Sequence, residues 1–206
     1  MKSPPKKIAL FGGTFDPVHL AHLAITAEAQ RACGLNQVIL IPCWQSPHKR
    51  EKKAAAPEHR LEMLRLATKD LPWAHVTSWE LDRKEPSYSW MTARHFAESY
   101  PEAELHWILG ADQWNVITTW SKPEILSKLL TFIVFPRNGV DPIENEGFRH
   151  HLIDIETPGS STAIRNKVKA NENIHGLTTD EVVHYIQEHN LYRSGDIPVA
   201  TASTDT

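Results

Sequence analysis

The sequence contains little cysteine and no long apolar run. Two cysteines, Cys33 and Cys43, occur in 206 residues, and their spacing matches neither a metal site nor a redox motif, so we expect a reducing compartment. No stretch reaches the roughly 18 apolar residues that a membrane span needs, and no apolar segment of signal-peptide length follows the basic N-terminus. These absences exclude a disulfide-stapled secreted protein and predict a cytoplasmic protein with no membrane partner.

The chain also lacks an excess of charge of one sign, and it lacks several common catalytic motifs. Lys and Arg total 22 and Asp and Glu total 25, for a formal charge of −3. This balance gives no reason to expect a nucleic-acid partner. There is no G-x-x-x-x-G-K-[ST] phosphate loop, no H-E-x-x-H zinc motif and no G-x-G-x-x-G dinucleotide fingerprint, which excludes the classes that these motifs define.

A regular alternation of strand-like and helix-like segments is present instead. Strands are predicted at 7–11, 37–42, 75–81, 105–110, 131–137 and 152–156. Helices are predicted at 20–33, 57–69, 89–100, 123–130, 161–169 and 179–189. This order predicts an α/β fold with a Rossmann-like, doubly wound, mostly parallel sheet, in a single domain over 1–193. The small polar residues of 194–206 predict a disordered tail.

The turn between the first strand and the first helix is the most informative segment. Two adjacent glycines and a threonine come first, at Gly12, Gly13 and Thr14. Two histidines, His19 and His22, follow on one face of a helical turn. Glycines let a ligand approach the backbone closely, and amides at a helix start suit a phosphate. A plain tight turn and half of a zinc site are the alternatives. The pattern favours an anion site flanked by imidazoles.

Residues 12–22, Gly-Gly-Thr-Phe-Asp-Pro-Val-His-Leu-Ala-His, resemble the signature G-x-F-D-P-x-H-x-G-H of the nucleotidylyltransferase superfamily. The Gly-Gly-Thr variant is typical of bacterial nicotinate-nucleotide adenylyltransferases. Ala21 stands where the superfamily often has glycine, and a helix favours the added methyl group. The resemblance implies the same Rossmann-like fold and a nucleotide site in this turn.

A second segment, Gly-Ser-Ser-Thr-Ala-Ile-Arg beginning at Gly159, resembles another motif of that family. Taken alone, its hydroxyls describe a capped helix start. The family pattern is Ile-Ser-Ser-Thr-x-Ile-Arg, so Gly159 replaces an isoleucine, and we expect this change to affect strand packing. The resemblance implies that the hydroxyls and Arg165 contribute to a phosphate site.

Two further elements follow strands of the predicted sheet. Considered without the resemblance, the loop with Pro47, His48 and Lys49 is interpreted as solvated surface. The resemblance implies instead that its lysine holds the triphosphate. Asp112 alone reads as a helix cap, whereas the resemblance implies that it accepts hydrogen bonds from ribose hydroxyls. The roles of His48 and Arg137 are left open.

Two elements concern a pyridine nucleotide. The turn over 87–89 contains a candidate helix N-cap, and it resembles the family's Pro-Ser-Tyr-Thr element, whose backbone accepts the nicotinate carboxylate. Trp120 matches the family's Thr-Trp, whose indole stacks on the pyridine ring. Trp114 is interpreted as a packing residue.

The resemblance therefore implies a site of three parts. The catalytic groups would be His19, His22, Lys49 and Arg165. The groups that bind ATP and phosphate would be Gly12, Gly13, Thr14, Phe15, Gly110, Asp112, Ser160, Ser161 and Thr162. The groups that bind the pyridine nucleotide would be Ser87, Tyr88, Ser89 and Trp120. No side chain is predicted to be a metal ligand.

The activity that the resemblance implies joins nicotinate mononucleotide and ATP to give deamido-NAD and pyrophosphate. Mg²⁺ would enter mainly through the ATP phosphates. A phosphate monoester is already a nucleophile, so no general base is needed, and nearby phosphates would favour cationic imidazoles. The alternatives are a different acceptor, either nicotinamide mononucleotide or another phosphorylated compound, and a non-catalytic nucleotide sensor. Whether the protein forms a homo-oligomer is left open.

Overall fold

The computed structural model describes residues 5–45, 54–137, 139–155 and 159–193, so the predicted tail 194–206 lies outside them. Its strands are β1 (Lys7–Gly13), β2 (Gln37–Pro42), β3 (Ala74–Val76), β4 (Glu104–Gly110), β5 (Thr131–Phe135) and β6 (Arg149–Leu152). Its helices are α1 (Leu20–Cys33), α2 (Pro57–Thr68), α3 (Trp79–Arg83), α4 (Ser89–Ser99), α5 (Ala111–Trp114), α6 (Pro123–Leu129), α7 (Ser161–Lys169) and α8 (Asp180–Glu188). A 3₁₀ helix spans Ile117–Thr119.

The strands form a parallel sheet in the order β3-β2-β1-β4-β5-β6. This arrangement confirms the predicted Rossmann-like, doubly wound fold. The strand order reverses direction between β1 and β4, and open sheets of this kind bind ligands beyond the carboxyl ends of the strands at that point. The last residues of these two strands, Gly13 and Gly110, therefore mark where a ligand is expected.

Helices cover both faces of the sheet because β1 sends alternate side chains to opposite sides. Ala9 and Phe11 belong to the core under α1, α2, α7 and α8. Ile8 and Leu10 belong to the core under α4, α5 and α6. The buried Trp114 lies in this second core, which confirms its interpretation as a packing residue.

The predicted strand over 75–81 is wrong beyond Val76, because the chain turns there into helix α3. The Thr77 hydroxyl accepts a hydrogen bond from the Trp79 backbone N–H at 3.3 Å, and the Ser78 hydroxyl donates to the Asp82 carboxylate at 2.7 Å. Short polar side chains that bond the nearby backbone favour helix starts over strand interiors.

Other strand boundaries also differ from the predictions. β1 continues through both glycines to Gly13, which pairs with Pro42 of β2. β5 ends at Phe135, before Pro136, which has no N–H to donate to a neighbouring strand. β6 covers Arg149–Leu152 rather than 152–156, and residue 156 lies outside the described residues. Within the described ranges, no helix is long and apolar enough to cross a membrane.

Candidate active site

The two glycines at the end of β1 each lie close to an aromatic ring. A β-carbon on Gly12 would lie 3.1 Å from Cζ2 of Trp107. A β-carbon on Gly13 would lie 3.0 Å from the ring of Phe15, which folds back over it with a φ of 49°. The Phe15 ring is buried in the core, so only its backbone can face a ligand.

The start of helix α1 is less open than the sequence predicts. The Leu20 N–H donates to the Leu177 carbonyl at 3.0 Å, and the His22 N–H donates to the His19 carbonyl at 2.9 Å. The expectation that these first amides are available to a phosphate is therefore wrong for these two groups, because a later segment of the chain and the turn itself already use them.

The two imidazoles lie face to face. The ring centroids of His19 and His22 are 3.7 Å apart with an interplanar angle of 26°, and the Phe15 ring meets His22 edge-on at 5.0 Å. The His19 backbone N–H donates to Nδ1 of His22 at 3.2 Å. Because Nδ1 accepts, the proton of a neutral His22 ring is on Nε2.

His19 is almost fully buried, with 6% of its surface exposed. Its Nδ1 atom has no hydrogen-bond partner among the described residues. Burial, and after it the charge of Arg137, lowers the pKa of His19 to about 4. These surroundings keep the ring neutral at pH 7, so the expected cationic form needs a phosphate beside it.

An aspartate and an arginine crowd around the end of β4. A β-carbon on Gly110 would lie 2.6 Å from both Cδ of Arg137 and Oδ1 of Asp112, so glycine alone leaves them room. This Oδ1 is buried and has no hydrogen-bond partner within the described part of the chain. Asp112 does not cap α5; its acceptor oxygen suits a hydroxyl donor such as a ribose. The sequence leaves the role of Arg137 open, and the structure places it here, close enough to lower the pKa of His19.

The hydroxyls at the start of α7 make contacts within the protein. Ser160 caps the helix, since its side chain accepts from the Ala163 N–H at 3.4 Å. Ser161 donates its hydroxyl to the Pro17 carbonyl at 2.9 Å. The residue before them, Gly159, lies against α1 rather than against the sheet, so the expected effect on strand packing is wrong.

Arg165 is hydrogen-bonded to the turn between β1 and α1. Its Nη1 donates to the Asp16 carbonyl at 2.6 Å, and its Nη2 donates to the Thr162 hydroxyl at 3.1 Å. A guanidinium has five N–H donors, so Arg165 retains others with which to meet an anion. The motif that begins at Gly159 therefore lies beside the turn between β1 and α1 and also stabilises it through hydrogen bonds.

Asp16 is a buried carboxylate on which these contacts converge. Its Oδ1 accepts from the Tyr192 hydroxyl at 2.8 Å and from the Ala55 N–H at 3.1 Å, and its Oδ2 lies 3.7 Å from Nη1 of Arg165. Burial, and then the charge of Asp16, raises the pKa of Tyr192, which keeps its hydroxyl a donor. Sequence reasoning missed Tyr192, because it follows Asp16 by 176 residues and no local pattern marks it.

Arg60 is a second residue that sequence reasoning missed. It is 1% exposed, and its guanidinium donates to the carbonyls of Thr14 at 2.9 Å, Cys43 at 2.8 Å and Ala55 at 3.1 Å. It thereby joins the turn after β1 to the end of β2 and to the residues before α2. The signal for it was present: Arg60 begins the i, i+3, i+4, i+7 stripe of buried positions in α2.

The predicted pyridine-binding turn lies at the start of α4. Ser87 accepts a hydrogen bond from the Trp44 N–H on its hydroxyl at 3.0 Å. Tyr88 is the N-cap of α4, and Ser89 is the first residue of the helix. Trp120 is partly buried and packs against the same core as α4. The structure thus brings these groups to one side of the sheet, while the loop that carries Lys49 lies outside the described residues.

Comparison with known proteins agrees with this architecture. A family model described as cytidylyltransferase-like matches residues 10–167. The chain is 38% identical over 190 residues to a probable nicotinate-nucleotide adenylyltransferase of Staphylococcus epidermidis, with 91% of this chain and 97% of the relative covered. It is 41% identical over 202 residues to one of Roseiflexus sp., with 94% and 100% covered.

A solved structure shares the fold. The Plasmodium falciparum nicotinic acid mononucleotide adenylyltransferase complexed with NaAD superposes with a TM-score of 0.76 at 20% identity, covering 91% of this chain and 97% of that one. The chain is thus a doubly wound α/β protein with its candidate site at the switch point. It belongs to the cytidylyltransferase-like family and, within it, to the family of nicotinate-nucleotide adenylyltransferases.

Proposed function

We propose that this protein transfers the adenylyl group of ATP to nicotinate mononucleotide, giving deamido-NAD and pyrophosphate. The observation that carries the proposal is the pair of stacked imidazoles, 3.7 Å apart, beyond the end of β1 at the switch point of the sheet. The relatives at 38% and 41% identity bear the name of this activity. The spacing of the two cysteines, Cys33 and Cys43, matches neither a metal site nor a redox motif, which suits the cytoplasm as the compartment.

The reaction needs positioning more than acid–base chemistry. An oxygen of the mononucleotide 5′-phosphate forms a bond to the α-phosphorus of ATP, and the bond from that phosphorus to the bridging oxygen of the β-phosphate breaks. The electron pair leaves with pyrophosphate, and no proton has to move. Catalysis therefore comes from holding two polyanions in line and stabilising the charge of the leaving group.

The residues of the turn can supply this stabilisation. His22, whose Nδ1 accepts from the His19 backbone N–H, would donate its Nε2–H to a phosphate. His19 would gain a proton when a phosphate lies beside it. The backbone of Gly12, Gly13, Thr14 and Phe15, together with Lys49, Ser160, Ser161, Thr162 and Arg165, would complete the phosphate cradle.

The nucleoside parts would be held on either side of the turn. Asp112 offers its buried Oδ1 to the ribose of the adenylate beside Gly110. At the other end, Ser87, Tyr88 and Ser89 would bind the nicotinate carboxylate through the start of α4, and Trp120 would stack on the pyridine ring. A carboxylate at a helix start gains from both the amides and the helix dipole.

Mg²⁺ would accompany ATP in this proposal. Among the described residues, no three His, Cys, Asp or Glu side chains are grouped so that they could hold a metal ion. The nearby carboxylate of Asp16 is already bonded to Tyr192 and Ala55. This donor set fits a cation held by phosphate oxygens and water, which would neutralise charge on the triphosphate.

The proposal is tested by following a radiolabel in ATP. Purified protein is incubated with Mg-ATP and nicotinate mononucleotide, with the label on either the α- or the γ-phosphorus. We expect the α-label in deamido-NAD and the γ-label in pyrophosphate. Release of the γ-label as inorganic phosphate, or the absence of α-labelled deamido-NAD, would contradict the proposal. Either result would favour a different acceptor or a nucleotide sensor.

A further inference from the structure

Glu80, in the short helix α3, is a buried carboxylate that the sequence does not single out. Only 5% of its surface is exposed. Its neighbour Arg83 forms an ion pair with the exposed Glu85 rather than with Glu80. Removing a carboxylate from water costs free energy unless its oxygens receive hydrogen bonds, so the partners of Glu80 indicate what it stabilises.

Those partners lie on either side of the start of helix α4. The Thr92 hydroxyl, in the first turn of the helix, donates to Oε1 of Glu80 at 2.6 Å. The hydroxyl of Ser87, which precedes the helix, lies close enough to the Glu80 carboxylate to lower its pKa. Glu80 therefore holds a residue of the first turn of α4 and lies beside the residue that leads into the helix.

The same turn is also tied to the end of β2. The Ser87 hydroxyl accepts from the Trp44 N–H at 3.0 Å, and the Ser87 N–H donates to the Gln45 carbonyl at 3.0 Å. Ser87 is thus held by the chain leaving β2, and Glu80 holds Thr92 on the other side of the helix start. These bonds determine the direction in which the first N–H groups of α4 point.

We propose that Glu80 is a positioning residue that sets the preference for the acid over the amide form of the mononucleotide. This inference rests on the proposed function. The two substrates share their phosphate, ribose and pyridine ring, and they differ only in a carboxylate or an amide. At the start of α4, the N–H groups of Ser87, Tyr88 and Met91 already donate to carbonyl oxygens. A carboxylate would therefore meet the N–H groups of Ser89 and Trp90, since the first N–H groups of a helix lack partners inside it. Both oxygens of a carboxylate can accept from these N–H groups, whereas an amide has one acceptor oxygen and an NH₂ group that cannot accept.

The alignment of those N–H groups therefore affects the binding of the acid more than the binding of the amide. Burial, the larger influence, raises the pKa of Glu80, while the hydroxyls of Thr92 and Ser87 lower it.

The test measures kcat/KM for nicotinate mononucleotide and for nicotinamide mononucleotide, and follows the ratio of the two. Glu80→Ala should lower the ratio by about 10-fold or more, because lost alignment penalises the charged group selectively. Glu80→Gln can still accept from the Thr92 hydroxyl and should stay within about 3-fold of the natural protein. Glu85→Gln, on the same turn but exposed, is the matched control and should leave the ratio unchanged.

Thr92→Val removes a single hydroxyl and provides a milder variant if Glu80→Ala does not fold. It should lower the ratio in the same direction, with both kcat/KM values measured on protein of unchanged circular dichroism. A folded Glu80→Ala or Thr92→Val protein whose ratio equals that of the natural protein overturns the inference and leaves the proposed function standing. A natural protein inactive with both mononucleotides, or selective for the amide, overturns the proposed function and this inference with it.

Discussion

The β-carbon of Ala21 occupies the space that a side chain on Gly159 would need. A β-carbon built on Gly159 would lie 2.8 Å from that of Ala21 and 3.1 Å from Nδ1 of His19. Ala21 is in the first turn of α1, and Gly159 immediately precedes the cap of α7. The two motifs of the candidate site therefore meet at a contact that accommodates one methyl group and not two.

This contact predicts that Gly159→Ala is harmful and that Ala21→Gly compensates for it. Overpacking of this kind costs about 1–3 kcal/mol, and the crowding reaches the ring of His19, so turnover should fall as well. Ala21→Gly alone costs up to about 1 kcal/mol through helix propensity. Urea unfolding of the two single variants and the double variant gives the coupling between the sites.

We expect the double variant to lose less free energy of unfolding than the two single variants lose together, by about 1 kcal/mol or more. Its turnover should recover relative to Gly159→Ala. Additive effects within experimental error would show that the two residues do not compete for the same space.

The same pair shows what the sequence could and could not reveal. Both positions depart from the family's motifs, and each departure is visible from the residues alone. That they face each other is a tertiary relationship between segments more than 130 residues apart, as the numbering shows, and no local pattern carries it. The periodicity predicted the alternation of strands and helices, since that depends on local hydrophobic spacing.

His22 is predicted to stabilise the transferring phosphate through its Nε2–H. His22→Ala should lower kcat by on the order of 10²-fold or more, as does the loss of other charge-stabilising donors. Steady-state kinetics with thermal unfolding as a fold check measures this. His184→Ala, on the exposed face of α8, is the control and should retain full turnover. Near-normal turnover in a folded His22→Ala protein would remove His22 from the chemistry.

The buried His19 predicts a pH dependence of stability with a defined sign. The ordinary pKa of histidine is about 6.5, and in the folded protein it is lowered to about 4. Between these pH values the unfolded chain binds the proton and the folded chain does not. The contribution of His19 to the free energy of unfolding is therefore complete above about pH 6.5 and declines as the pH falls toward 4.

The measurement compares the natural protein with His19→Gln, because other histidines with lowered pKa values add to the total. The difference in free energy of unfolding between the two proteins should change by on the order of 3 kcal/mol across this pH range. A ring of His19 that titrates by NMR near its ordinary pKa would refute the electrostatic description of the site.

Arg60 is predicted to be essential for the architecture of the turn. Arg60→Lys keeps the charge but not the planar fork that reaches three carbonyls. It should lower the free energy of unfolding by about 2 kcal/mol or more, because buried carbonyls lose their donors. Arg65→Lys, one helical turn and a half further on and exposed, should change it by less than about 0.5 kcal/mol. Equal effects of the two substitutions would refute the role of the buried guanidinium.

Sequence reasoning could find the groups that face a ligand more readily than those that support them. The glycines, the two histidines and the serines of α7 stand in short motifs. Tyr192 and Glu80 act on those motifs from distant segments, and each would be interpreted in isolation as an ordinary surface residue of a helix or its end. Their roles follow from hydrogen bonds that only the fold creates.

The central claim is that this chain adenylylates the acid form of the pyridine mononucleotide. Release of pyrophosphate from Mg-ATP by the purified protein, compared between nicotinate and nicotinamide mononucleotide, tests it most directly. The account predicts rapid release with the acid and much slower release with the amide. Equal release with both, a preference for the amide, or no release with either would contradict it.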